Sequence, residues 1–115
     1  MRTPITDETR DGIVVDESRP TIQKVRVLGQ NQQLLRIDYE HTNDLPESVK
    51  DELLGFAEKR MKEMDILVLA DYAKGVLNND SIKALIQLAQ ENSKKIIVDP
   101  KPKNSLFYNG VDLVT

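Results

Sequence analysis

The chain has 115 residues, with 16 lysines and arginines against 19 aspartates and glutamates and a net charge of −3. That is one small domain's worth of polypeptide, without the basic surplus that a generic nucleic-acid or anionic-membrane binder needs. The absence of cysteine excludes a disulfide scaffold, a cysteine zinc site and a thiol nucleophile, and suits a reducing, cytoplasmic setting.

In chain order, the opening twenty residues are polar and are not expected to act as a signal peptide. Residues 13 to 40 read as local antiparallel β-structure. Ile13 to Val15 is a short β-branched run, and Thr21 to Leu28 and Leu34 to Glu40 are extended candidates. Between the last two lies Gly29-Gln30-Asn31-Gln32, where glycine and asparagine tolerate the positive φ of a tight reversal, so the pattern predicts a hairpin. Lys24, Arg26, Arg36 and Asp38 interleave with Val25, Val27, Leu35, Ile37 and Tyr39, which predicts one solvated face.

From residue 44 onward the rhythm becomes helix, strand, helix, strand. Asp44 is a candidate N-cap, with Glu47 placed to complete a capping box. Leu45, Val49, Leu53, Phe56, Ala57, Met61 and Met64 then form a stripe at helical spacing, interrupted by Gly55 at a cost of about 1 kcal/mol relative to alanine. Ile66 to Ala70, the longest apolar run, is far too short for a membrane span and predicts a strand covered on both faces. Ile82, Leu85, Ile86 and Ala89 mark a second helix capped by Asn79, Asp80 or Ser81. Ile96 to Val98 and Val111 to Val114 complete a set of parallel strands, and hence an α/β fold. Two helices cannot cover both faces of such a sheet, so the chain is expected to be the middle of a larger α/β domain.

In open α/β sheets, ligands sit beyond the carboxyl ends of the strands. Asp71-Tyr72-Ala73-Lys74-Gly75 and Asp99-Pro100-Lys101-Pro102-Lys103-Asn104 both fall there, each with an acid at the strand tip and a lysine two or three residues on. An acid that binds a hydroxyl or hydrated cation, beside a lysine that meets phosphate, suits a phosphorylated polyol or a nucleotide. Either loop alone is commonplace; two matched loops at adjacent strand ends carry more weight. Arg26, Asn31, Gln32, Gln33 and Arg36 suit a polar cover over a site, although periodicity equally allows a wet strand face. His41 reads as a solvated loop residue, Met61 and Met64 as core, and Glu58 with Lys62 as a surface pair. The five glycines are too dispersed for a phosphate-binding glycine loop.

The succession Arg19-Pro20-Thr21-Ile22-Gln23-Lys24-Val25-Arg26-Val27-Leu28, Asn31-Gln32-Gln33-Leu34-Leu35-Arg36-Ile37-Asp38, Asp71-Tyr72-Ala73-Lys74-Gly75 and Asp99-Pro100-Lys101 resembles the heptose-7-phosphate kinases of ADP-heptose biosynthesis. These form a branch of the ribokinase/phosphofructokinase-B (PfkB) carbohydrate kinase superfamily. The resemblance extends from about residue 12 to the end. It implies a ribokinase-like, Rossmann-like fragment, with a β lid over residues 13–40 and helix–strand units of the α/β core over 44–115. It also implies a cytoplasmic transferase that uses ATP and Mg²⁺ to phosphorylate the anomeric hydroxyl of D-glycero-D-manno-heptose 7-phosphate, toward the lipopolysaccharide core precursor.

By match to that family, Arg26, Asn31, Gln32 and Arg36 belong to a lid that covers the sugar and contributes a homodimer contact. Asp71, Tyr72 and Lys74 line the mouth of the sugar site. Asp99 and Lys101 stand on the nucleotide and phosphate side, with Asp99 an indirect magnesium contact. Pro102 replaces the glycine common after this lysine. The family's Asn-x-x-Glu magnesium segment and its Gly-Ala-Gly-Asp turn, which holds the base and anion hole, have no counterpart here. No catalytic residue is therefore assigned, and the polypeptide alone is expected to be catalytically silent. The competing reading is a non-catalytic α/β interaction module whose hairpin pairs with another chain. A flavodoxin-like or receiver-like domain is disfavoured by the leading hairpin and by acids spread over different strand ends.

Overall fold

The computed structural model describes residues 10–115; residues 1–9, part of the polar opening, lie outside the described residues. An antiparallel ribbon of β1 (Gln23–Gly29) and β2 (Gln32–Tyr39) comes first, followed by α1 (Glu47–Met61) and β3 (Ile66–Ala70). Next come α2 (Asn79–Glu91), β4 (Lys95–Asp99), a 3₁₀ turn over Pro102–Phe107 and β5 (Leu113–Val114). The last three strands form a parallel sheet in the order β3-β4-β5.

The hairpin closes through a two-residue reversal in which Gln30 (φ 47°) and Asn31 (φ 64°) both adopt positive φ, the geometry that matches strand twist. Gln30, rather than Gly29, takes the left-handed position. Val25 opposes Ile37 and Val27 opposes Leu35, while Lys24 opposes Asp38 and Arg26 opposes Arg36, so the apolar and charged side chains segregate to opposite faces. The register shifts after Val27, leaving Leu34 unopposed, as in a β-bulge. Contrary to the expectation of a single wet face, both faces are solvated: Tyr39 is 57% exposed and Leu35 48%. The ribbon projects from the α/β unit in a molecule 54 Å long and 32 by 29 Å across.

Three local expectations are corrected. Residues 13–15 are irregular, with the Ile13 N–H donating to the Arg10 carbonyl in a turn; a β-branched run that pairs with no strand among the described residues has no ladder to join there. The first helix begins at Glu47 behind Pro46, with no side-chain cap. A residue before proline avoids the helical region, so Leu45 and Asp44 stay outside the helix and Glu47 instead pairs with Lys50 at 2.7 Å. The cap of α2 is Asn78, whose side chain accepts from the Ser81 N–H while the Ser81 hydroxyl accepts from the Asn78 N–H. Ser81 is thus the inner partner of the box.

In-register Leu67 and Ile96, and Leu69 and Val98, share one face of the sheet. There they pack with Met61 of α1, with Ile82, Leu85, Ile86 and Ala89 of α2, and with Tyr108. Ile66 and Val68 turn the other way and are 49% and 63% exposed, as is Leu113 at 53%. Among the described residues, strand 66–70 is therefore covered on one face only, because both helices lie on the same side and β3 is an edge strand. The third strand is shorter than expected. The Asp112 carboxylate accepts from the Ile96 N–H at 2.8 Å, and regular pairing begins only at Leu113.

Candidate functional site

Because β3 and β4 are adjacent and parallel, their carboxyl ends fall on the same edge of the sheet. The Asp71 N–H donates to the Asp99 carbonyl at 3.0 Å, fastening the start of one loop to the end of the neighbouring strand. Beyond it, Asp71 Oδ1 accepts from the Ala73 N–H at 2.8 Å, which turns the chain sharply enough that Ala73 has φ 54° and Gly75 φ 100°. A side chain at Gly75 would collide with the Asn43 carbonyl oxygen, so glycine is required there on two counts.

Asp71 is 4% exposed. Its Oδ2 accepts from the Asn104 amide at 2.8 Å and from the Tyr108 hydroxyl at 2.7 Å. Burial, followed by the hydrogen bond to Asp71, drives the Tyr108 hydroxyl well above the usual tyrosine range, so it remains a donor. The carboxylate of Asp71 thus faces inward and shapes the loop. Tyr72, by contrast, is 69% exposed, and the Lys101 ammonium lies 6.0 Å from the centre of its ring. The two loops meet at this pair.

Lys74 Nζ lies 2.7 Å from each carboxylate oxygen of Glu40, just beyond β2. Arg19, ahead of β1, joins Asp16 at 2.8 Å and donates to the carbonyls of Asn43 (2.8 Å) and Lys74 (3.1 Å). Both ends of the hairpin are therefore anchored on the β3 loop. A cavity of about 380 Å³ lies between them, bordered by Ile22, Lys24, Tyr72 and Lys74. A smaller, more polar cleft of about 250 Å³ runs between Thr42, Gly75, Asn79 and Lys103.

The structure brings together Asp71, Tyr72, Lys74, Asp99 and Lys101. The hairpin candidates are spread along the ribbon. Asn31 and Gln32 lie at its far end, roughly 20 Å from Lys24 at the usual rise of a strand. Arg26 and Arg36 sit opposite each other on the charged face, where Arg36 pairs with Asp38 at 3.1 Å. Asp99 is exposed at its strand tip, but no group of three or more acidic or histidine side chains that could hold a metal occurs among the described residues. No helix among them is long and apolar enough to cross a membrane.

Four residues escaped the sequence reading. Arg19 opens the motif that carries the resemblance and Asn104 closes the second loop, but neither residue's long-range partners can be read from its neighbours in the chain. Glu40 and Tyr108 had no local signal, since their partners lie 34 and 37 residues away.

The fold and these loops define an α/β protein whose parallel sheet presents two lysine-bearing strand ends beside the base of a projecting β-ribbon. No family model matches the chain. Over 104 residues it is 34% identical to the bifunctional protein HldE of Wolinella succinogenes, a match covering 90% of this chain and 22% of that protein. It is 38% identical over 104 residues to the bifunctional protein HldE of Helicobacter pylori (90% and 23%), and 35% identical over 105 residues to that of Desulfatibacillum aliphaticivorans (91% and 22%). The sequence is thus related to these proteins along nearly its whole length, and it spans less than a quarter of theirs.

Proposed function

We propose that the chain is a segment of an ATP-dependent, PfkB-type sugar kinase, and that the complete enzyme phosphorylates the anomeric hydroxyl of D-glycero-D-manno-heptose 7-phosphate in ADP-heptose biosynthesis. The observation that carries this reading is the meeting of the two strand-end loops at Tyr72 and Lys101, beside a hairpin tied to the first of them through Lys74 and Glu40. Similarity to bifunctional HldE proteins over 90% of the chain supports it.

Phosphoryl transfer is catalysed by placement and by neutralising charge on the transferred group. In this reading Tyr72 and Lys74 border the sugar phosphate, with Asp71 shaping their loop from within. Arg26, Asn31, Gln32 and Arg36 are the lid groups, and Asp99 and Lys101 face the nucleotide phosphates. ATP is the phosphoryl donor. Mg²⁺ is ordinarily held by one or two carboxylates together with substrate phosphates and water; in this reading Asp99, exposed at its strand tip, would contact it indirectly, and no step is assigned through the ion. A cytoplasmic location goes with this reading.

In the complete enzyme, Lys74→Ala and Lys101→Ala should each lower heptose-phosphate-dependent ADP release at least about tenfold, the scale of one lost charge-assisted contact. Lys59→Ala, on the exposed surface of α1, should leave it unchanged. Equal and negligible effects at all three positions refute the assignment.

The solvation of both ribbon faces favours a second, related reading: the hairpin is an association surface, as a homodimer contact of the kinase or as the working part of a non-catalytic module. Ligand titration followed by light scattering separates the two, because a pure interaction module associates and ignores ATP and sugar phosphates.

A further inference from the structure

Asn104 and Tyr108, on and just after the 3₁₀ turn, converge on one buried oxygen of a residue from the other loop. Asp71, Asn104 and Tyr108 are 4%, 4% and 7% exposed. Asp71 Oδ2 receives both donors, Oδ1 receives the Ala73 N–H, and the Asn104 amide donates a second time, to the Leu77 carbonyl at 3.1 Å. No cation is bonded to this carboxylate among the described residues. Burying an acid against neutral donors costs more than filling the same space with apolar side chains, so packing alone does not account for the cluster. Its geometric effect is specific. One oxygen grips the 3₁₀ turn that follows Lys101, and the other sets the turn that follows Tyr72.

We infer that Asn104 and Tyr108 are positioning residues that lock the two strand-end loops to each other through the buried carboxylate of Asp71. The lock sets the spacing of Tyr72 and Lys101, and through it the affinity of the lysines for an anionic ligand. Calling these loops ligand-bearing rests on the kinase reading above; the lock itself is tested apart from it.

The test uses the 115-residue chain, labelled for NMR. Tyr108→Phe keeps the ring that packs in the core and removes only the hydroxyl. Amide exchange at Ala73, 35 positions away and bonded to the opposite oxygen of Asp71, should accelerate about tenfold, while Ile96 and Val98 in the sheet stay unchanged. Inorganic phosphate, titrated against the amides of Lys74 and Lys101, should bind at least about threefold more weakly to the variant. Unchanged exchange at Ala73 overturns the lock, and unchanged phosphate affinity with accelerated exchange overturns the positioning role. If wild type shows no phosphate-induced shifts at either lysine, the ligand-bearing reading falls, and Ala73 exchange alone decides whether the loops are coupled. Should Tyr108→Phe not fold, Asn104→Ser is read at the same amides and overturns the lock on the same result.

Discussion

Lys74 Nζ sits 2.7 Å from both carboxylate oxygens of Glu40, bridging the β3 loop to the chain leaving β2. Both side chains are largely shielded, at 32% and 25% exposed, so the pair retains more of its attraction than a fully hydrated one. Glu40→Gln keeps the shape and removes the charge. It should lower stability by about 1 kcal/mol, read by urea denaturation, and should increase amide exchange at Lys74 and Gly75. If neither changes, the hairpin is not anchored here.

Gly75 combines a φ of 100° with a close approach to the Asn43 carbonyl oxygen. Gly75→Ala should therefore cost on the order of 3 kcal/mol, from backbone strain and displacement of the Asn43 segment together. Gly55 is the counter-case, since a Cβ built there meets nothing within 4 Å. Gly55→Ala should stabilise the chain by about 1 kcal/mol, and denaturation midpoints of the two variants should move in opposite directions.

Acid should loosen the attachment of β5. The backbone N–H of Ile96 holds the Asp112 carboxyl below its ordinary value of 3.8, with Lys95 adding to the effect. A folded-state value below the unfolded one contributes stability that is present above the unfolded value and lost as pH falls through the folded value. Stability should accordingly decline as pH drops below about 4, with Asp16, lowered by its bond from the Ser18 hydroxyl, contributing in the same direction. Asp112→Asn should reduce the slope of stability against pH in that window. An identical slope in wild type and variant contradicts the assignment.

Val25, Val27, Leu35 and Ile37 form the apolar face of the ribbon and are 37% to 48% exposed. If that face joins two copies, as the kinase reading expects, wild type should sediment as a dimer at micromolar concentration, and Ile37→Lys should sediment as a monomer with unchanged helical circular dichroism. A monomeric wild type removes the dimer from the reading.

Period and punctuation made the helices, the parallel strands and the hairpin legible from residues alone, because each is set by neighbours three, four or two positions away. The same locality explains the failures. Asp44 has the chemistry of a cap, but Pro46 moves the helix start past it. Ile66 to Ala70 is apolar at every position, yet which of its faces is covered depends on both helices lying on one side of the sheet.

The sequence by itself determined the α/β class, the two lysine-bearing loops and their placement at strand ends, since these follow from composition, alternation and chain order. Only the tertiary structure decided that Asp71 turns inward to Asn104 and Tyr108, that Lys74 answers Glu40, and that Arg26, Asn31, Gln32 and Arg36 lie along a ribbon whose far end is distant from the loops. A side chain's direction depends on donors and charges brought beside it from 33 to 37 residues away, and no local pattern encodes such meetings.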